Sequence, residues 1–198
     1  MDKITRTNID NLWSEDRDLQ NKAFFYILET TDKPVDWAYD VWDEMVENSG
    51  HKDNHNRAIA AQVLCNLAKS APKNRMLKDF DALLAVTKDE RFVTAGHCLQ
   101  SLWKVGTVGK KQQKILVEGL ERRFKECLTE KNCTLIRYDI IQGLRRLYDA
   151  AAVKDEKIKE KALELIETEE DLKYRKKYAS LWRDKSSTLS GEKRAQSA

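Results

Sequence analysis

In "RFVTAGHCLQSLWKVG", Arg91 to Gly106, the residues Ala95, Cys98, Leu99, Leu102 and Trp103 fall at i, i+3, i+4, i+7 and i+8. That spacing lays them along one face of a helix. Ala60, Val63, Leu64, Leu67 and Ala68 occupy the same five places 35 residues earlier. Ile140, Gly143, Leu144, Leu147 and Tyr148 do so 45 residues later, and Tyr174, Lys177, Tyr178, Leu181 and Trp182 a further 34 on. Phe24, Ile27 and Leu28 fit 36 residues before the second copy. Five copies of one helical pattern at such periods predict a helical repeat.

A second amphipathic segment lies between copies. "VDWAYDVWDEMVEN", "RMLKDFDALLAVT", "KQQKILVEGLERRFKECL" and "EKIKEKALELIE" each carry an apolar stripe. In the first of them, Pro34 marks the expected first turn. A short helix over Ile4–Trp13 is expected to cap the N-terminal end. Polar loops are expected at His51–Asn54, Ser70–Asn74, Thr107–Lys110 and Glu130–Asn132. Each helix pair leaves an apolar face that only a neighbouring pair can cover, so the pairs stack into a curved α-solenoid.

The segment "NRAIAAQVLCNLAK", with Arg57 ahead of Ala61, Leu64 and Leu67, resembles the first helix of a HEAT repeat. "RFVTAGHCLQSLWK" and "IRYDIIQGLRRL" look like further copies, and the resemblance spans roughly Leu19 to Trp182. It implies an all-α fold, a right-handed α-α superhelix of about ten helices over residues 1–184. A polar, Ser-rich tail, "DKSSTLSGEKRAQSA", follows, and disorder is expected over 185–198. The tetratricopeptide signature is missing, and the family names an architecture more than an activity.

Composition agrees with a helical chain: only 7 Gly and 2 Pro among 198 residues, with 35% charged. No apolar run reaches the ~20 residues of a membrane span, and the N-terminus lacks an apolar signal core. A soluble, cytoplasmic protein with no membrane association is expected, and its four cysteines as reduced thiols. Charge is uneven. Residues 1–50 carry 5 Lys/Arg against 12 Asp/Glu, a net −7, whereas residues 51–150 carry 19 against 11, a net +8.

Candidate chemistry is sparse. Cys98 takes the place of Val63 on the stripe and reads as a small core residue. His97 takes the place of Gln62 beside it, about 100° away, so the two do not face each other. "HKDNH", His51 to His55, has two histidines and an aspartate but no fourth ligand, so it reads as a loop with an Asp or Asn helix cap. Cys127 and Cys133 read as one core and one loop thiol. Phosphate-loop, zinc-protease and serine-nucleophile motifs are absent. No catalytic residue, metal or cofactor is expected.

Two features point to binding. Lys111, Lys114, Arg122 and Lys125 lie on a second helix, the kind that commonly lines the concave side of a solenoid. With Arg145 and Arg146 they form a candidate nucleic-acid site. Regular pairing with glutamates would weaken that reading. Trp37 and Trp42 lie five apart in an acidic helix and cannot both face the same core; either they pack, as large aromatics in short helices usually do, or one exposed ring serves as a protein contact. HEAT-like alkylpurine DNA glycosylases offer an enzymatic alternative. Their Trp-to-Asp spacing is four, and here Val41 and Val46 follow Trp37 and Trp42 at that distance. The primary expectation is a non-enzymatic scaffold that engages a protein or peptide through its concave face. The alternative is a nucleic-acid binder.

Overall fold

A computed structural model describes residues 1–71, 75–151 and 154–183. The expected tail at 185–198, and part of the expected loop at Ser70–Asn74, lie outside these residues. The helices are α1 (Lys3–Asn11), α2 (Arg17–Thr30), α3 (Ala38–Asn48), α4 (Asn54–Leu67), α5 (Arg75–Val86), α6 (Phe92–Gly106), α7 (Lys110–Glu126), α8 (Cys133–Ala150), α9 (Glu156–Glu167) and α10 (Leu172–Ser180). No strand occurs among the described residues. Short 3-10 turns end α4, at Ala68–Ser70, and α7, at Cys127–Thr129.

Helix starts follow a local rule. Asp2, Asp16, Asp53, Asp155 and Asp171 precede α1, α2, α4, α9 and α10, and each carboxylate accepts a backbone N–H of the first turn. Such caps satisfy donors that a helix cannot satisfy internally. The "HKDNH" loop is built this way: Asp53 Oδ1 accepts from the His55 N–H at 2.8 Å, and the Asp53 N–H donates to His51 Nδ1 at 3.0 Å.

The apolar stripes form one continuous core from Ile9 to Trp182. Leu64, Leu67, Leu99, Leu102, Ile140, Leu144 and Leu147 are all at or below 2% exposure. Each contributes on the order of 1.5–3 kcal/mol by burial. Cys98 is buried among them, its thiol on the Leu83 carbonyl at 3.4 Å, while His97 is exposed on the neighbouring face. Cys127 is buried and Cys133 half-buried at the start of α8.

Two rows of helices stack along the chain. α4, α6 and α8 pack side by side with extensive backbone approach, whereas α5, α7 and α9 meet more sparsely. Small side chains permit the close row. Ala58, Ala61, Ala95, Gly96 and Ser101 are buried in it. A Cβ on Gly143 would stand 3.8 Å from the Leu99 carbonyl oxygen of the neighbouring helix. Clefts of about 250 and 260 Å³ open between α5 and α7 instead, although the two helices touch where Gly119 faces Phe80 and Leu84. A bent two-layer stack is shorter along its inner layer. By that criterion the more closely packed row α4, α6, α8 is taken as the inner row and α5, α7, α9 as the outer row.

Charged side chains stitch successive repeats. Arg17 Nη2 reaches Asp53 Oδ2 at 2.6 Å, and Arg57 holds both oxygens of Asp89 at 2.5 and 3.0 Å. Arg137 Nη1 meets Glu169 Oε2 at 2.8 Å with both side chains buried, and Arg123 grips Glu130 and the Thr87 carbonyl. Arg57, the arginine of the family-like pattern, thus serves to tie one inter-helix loop to the next.

Candidate binding surface

Trp37 and Trp42 are both buried, at 6% and 0% exposure, so both pack in the core and neither offers the exposed ring of a protein contact. The reason is local. α3 begins at Ala38, not near Pro34, and Trp37 is the capping residue at φ −96° and ψ 9°. The helical spacing argument does not reach across that boundary, so both rings enter the core. Trp42 also donates its indole N–H to Asp79 Oδ2 at 2.8 Å. Neither ring is placed to stack on a base, which removes the residues on which the glycosylase alternative drew.

The basic side chains divide by row. Lys111, Lys114, Arg122 and Lys125 are exposed on α7, in the outer row. Three of them face carboxylates: Lys125 with Glu121 at 2.7 Å, Lys114 with Glu118 at 3.9 Å, and Arg122 with Asp81 and Glu126 at 3.9 and 4.0 Å. This is the regular acid–base alternation of a solvated face. Arg145, on α8, pairs with Asp149 at 2.7 Å.

The exposed stripe of the inner row differs. On α6 it runs Val93, His97, Gln100, Lys104; on α4, His55, Gln62, Lys69; on α8, Leu135, Tyr138, Gln142, Arg146. The repeat register places Gln62, His97 and Gln142 at one level. Lys69 and Lys104 share a lower level, and Arg146 reaches over from α8. Each cation is held by a neutral oxygen. Lys104 Nζ donates to Asn66 Oδ1 at 2.5 Å, Lys69 Nζ to the Asp32 carbonyl at 2.6 Å, and Arg146 Nη1 to the Gln100 carbonyl at 3.1 Å. Among the described residues none of the three makes a salt bridge, whereas their α7 counterparts do. Burial lowers the pKa of Lys104; Cys65 and the Asp32 carboxylate pull against it, and the charges of Lys69 and Arg146 act with it.

Asp139 sits in the crevice between α6 and α8. It is 7% exposed, with one amide donor, Gln100 Nε2, at 3.4 Å. Burial raises its pKa, against the opposing pull of Gln100, Arg146 and Lys177. No sequence pattern marked this carboxylate, because a lone Asp in a helix reads as surface. Its place one residue before the buried Ile140 and Ile141 was the available signal.

The two thiols of the inner core, Cys65 and Cys98, are held in their protonated form. Burial pushes the Cys65 thiol up to about 12 and the Cys98 thiol well above its ordinary value. No group of three metal-ligating side chains comes together among the described residues, and no helix there is long and apolar enough to cross a membrane.

No protein-family model matches the chain, and no curated protein matches it. Solved structures do. An engineered protein from the Northeast Structural Genomics Consortium aligns at 16% identity and a TM-score of 0.54, covering 91% of this chain and 79% of its own. Another engineered protein from that consortium aligns at 16% identity and a TM-score of 0.47 over 84% of this chain, which spans 47% of that protein's length. A designed armadillo repeat protein in complex with the peptide (KR)4 aligns at 12% identity and a TM-score of 0.44, covering 91% of this chain and 98% of its own. At these identities the likeness is one of fold, an all-α helical repeat.

Proposed function

We propose that this chain is a non-enzymatic, HEAT-like binding module that takes an acidic segment of a protein partner on the inner face of its solenoid. The carrying observation is the contrast in charge pairing. Lys69, Lys104 and Arg146 lie on the inner face, each hydrogen-bonded to a neutral oxygen and none in a salt bridge among the described residues, while Lys114, Arg122 and Lys125 on the outer row face Glu or Asp. Cations fixed in place and left unneutralised lose little side-chain entropy on binding an anion. The amides of Gln62 and Gln142, with His97 between them, supply hydrogen-bonding groups suited to a peptide backbone.

Fluorescence anisotropy of a labelled acidic peptide, at low and at physiological salt, tests this reading. The expected result is binding that weakens with salt and is lost in Lys69→Glu/Arg146→Glu. Duplex DNA run in parallel tests the nucleic-acid alternative. Tighter binding of DNA than of peptide at physiological salt, lost in the same variant, would replace the proposed partner class.

A further inference from the structure

The inner face is polarised along its helices, and this bears on the shape of the partner. Near the N-terminal ends of the inner helices it exposes apolar side chains: Val93 at 66% and Leu135 at 40%, with the half-buried ring of Tyr138, under the Lys177 ammonium, alongside. Phe25 on α2, 66% exposed, extends the line obliquely: in the repeat register Leu135, Val93 and Phe25 step by three residues, about 4.5 Å each. Amide and imidazole groups, Gln62, His97 and Gln142, occupy the middle. The cations Lys69, Lys104 and Arg146 stand toward the C-terminal ends. Glu29, exposed toward the C-terminal end of α2, closes the cationic run on that side, so it spans α4 to α8.

The separation of the bands has a size. Val93 and Lys104 are eleven residues apart on one helix, about 16 Å at 1.5 Å per residue. An α-helix with its side chains is about 10–12 Å across, and lysine and arginine side chains reach several ångströms toward it. A helix lying across the row would meet the apolar band with one flank and the cations with the other. Neighbouring helices pack 8–10 Å apart, so α2 to α8 spans about 27 Å, the length of a helix of about 18 residues.

From this layout we infer that the occupant of the inner face is an amphipathic acidic helix. Its apolar stripe lies on Phe25, Val93, Leu135 and Tyr138, and its carboxylates on Lys69, Lys104 and Arg146. The inference rests on the acidic-segment reading above and adds the arrangement of that segment. Helix-in-groove recognition through i, i+3, i+4, i+7 anchors is the general mode it uses. The opposed bands fix which flank faces which end of the row. An acidic chain without an apolar stripe gains only the electrostatic part.

Two labelled peptides of identical composition and about 18 residues separate these statements. One places leucines at i, i+3, i+4 and i+7 with glutamates opposite; the other scrambles the order. Both are titrated against the full chain by anisotropy, with helix formation followed by far-ultraviolet circular dichroism. The expected result is at least tenfold tighter binding of the patterned peptide, with a gain of helix. Val93→Asp should reduce it about tenfold, and Val93→Ser, a milder change at the same exposed site, by a smaller factor. Equal binding of both peptides, unaffected by either Val93 variant yet lost in Lys69→Glu/Arg146→Glu, would overturn the helix inference and leave the acidic-segment reading standing. Failure of both peptides to bind at low salt, with the chain folded, would overturn both.

Discussion

The inner row of α4, α6 and α8 and the outer row of α5, α7 and α9 are built from similar amphipathic patterns but carry different surfaces. In the inner row, alanines, glycines and a serine let backbones approach, and Lys69, Lys104 and Arg146 are held by neutral oxygens, with the carboxylates of Asp32 and Asp139 acting from farther off. In the outer row the helices splay, clefts open between α5 and α7, and glutamates and an aspartate pair with Lys114, Arg122 and Lys125. Local charge density on a helix is therefore a poor guide to a binding face. α7 holds more basic residues than any inner helix, yet several of them pair with carboxylates in place. What distinguishes the three inner cations is that none makes a salt bridge among the described residues.

The two rows are joined by buried charge, and that is where the largest effect is expected. Arg137→Ala leaves Glu169 buried without its partner and should cost about 3–5 kcal/mol in chemical denaturation. A loss below 1 kcal/mol would mean that the pair is solvated and does not stitch the repeats. The close packing of the inner row can be attacked at Gly143. Alanine there meets the Leu99 carbonyl at ordinary contact distance, but leucine does not fit. Gly143→Leu should cost about 1–3 kcal/mol, and Gly143→Ala much less; equal effects would show that α6 and α8 are not in tight register.

A smaller and opposite effect is expected at Asp139. Its folded pKa is raised by burial, so the ionised form opposes folding. The stability favoured by its protonated form is fully present below the unfolded carboxyl value and is lost as pH rises through the folded one. Asp139→Asn should accordingly be more stable than the parent at pH 7, with the two thermal midpoints converging as pH falls toward 3. An Asn variant less stable at pH 7 would mean that Asp139 has an effective cationic partner. The smallest effect belongs to the outer row. Lys114→Glu/Arg122→Glu should change stability by no more than about 0.5 kcal/mol and peptide affinity by less than twofold. A marked loss of affinity would move the binding face to α7.

The stripes were legible because burial in a helix imposes a period near 3.6, and Leu64, Leu99 and Leu144 sit where that period puts them. The same period names which residues are buried, not which layer packs more closely. The small residues Ala61, Gly96 and Gly143 recur in one series of helices only, and that was the available sign of the close row. The spacing of Trp37 and Trp42 spoke against a shared core only because a helical wheel was extended past the start of α3 at Ala38. Arg123 and Arg137 read as surface charge in a basic stretch, and their partners, the buried Thr87 and Glu169 and the exposed Glu130, lie in other elements that no local pattern connects to them.

The central claim is that the inner row is the working face, and lysine footprinting tests it most directly. The folded chain is acetylated with and without the patterned acidic peptide, and each lysine is read by mass spectrometry. The account predicts protection of Lys69 and Lys104 on binding, with Lys111, Lys114 and Lys125 unchanged. Protection of the α7 lysines with Lys69 and Lys104 unaffected would contradict it.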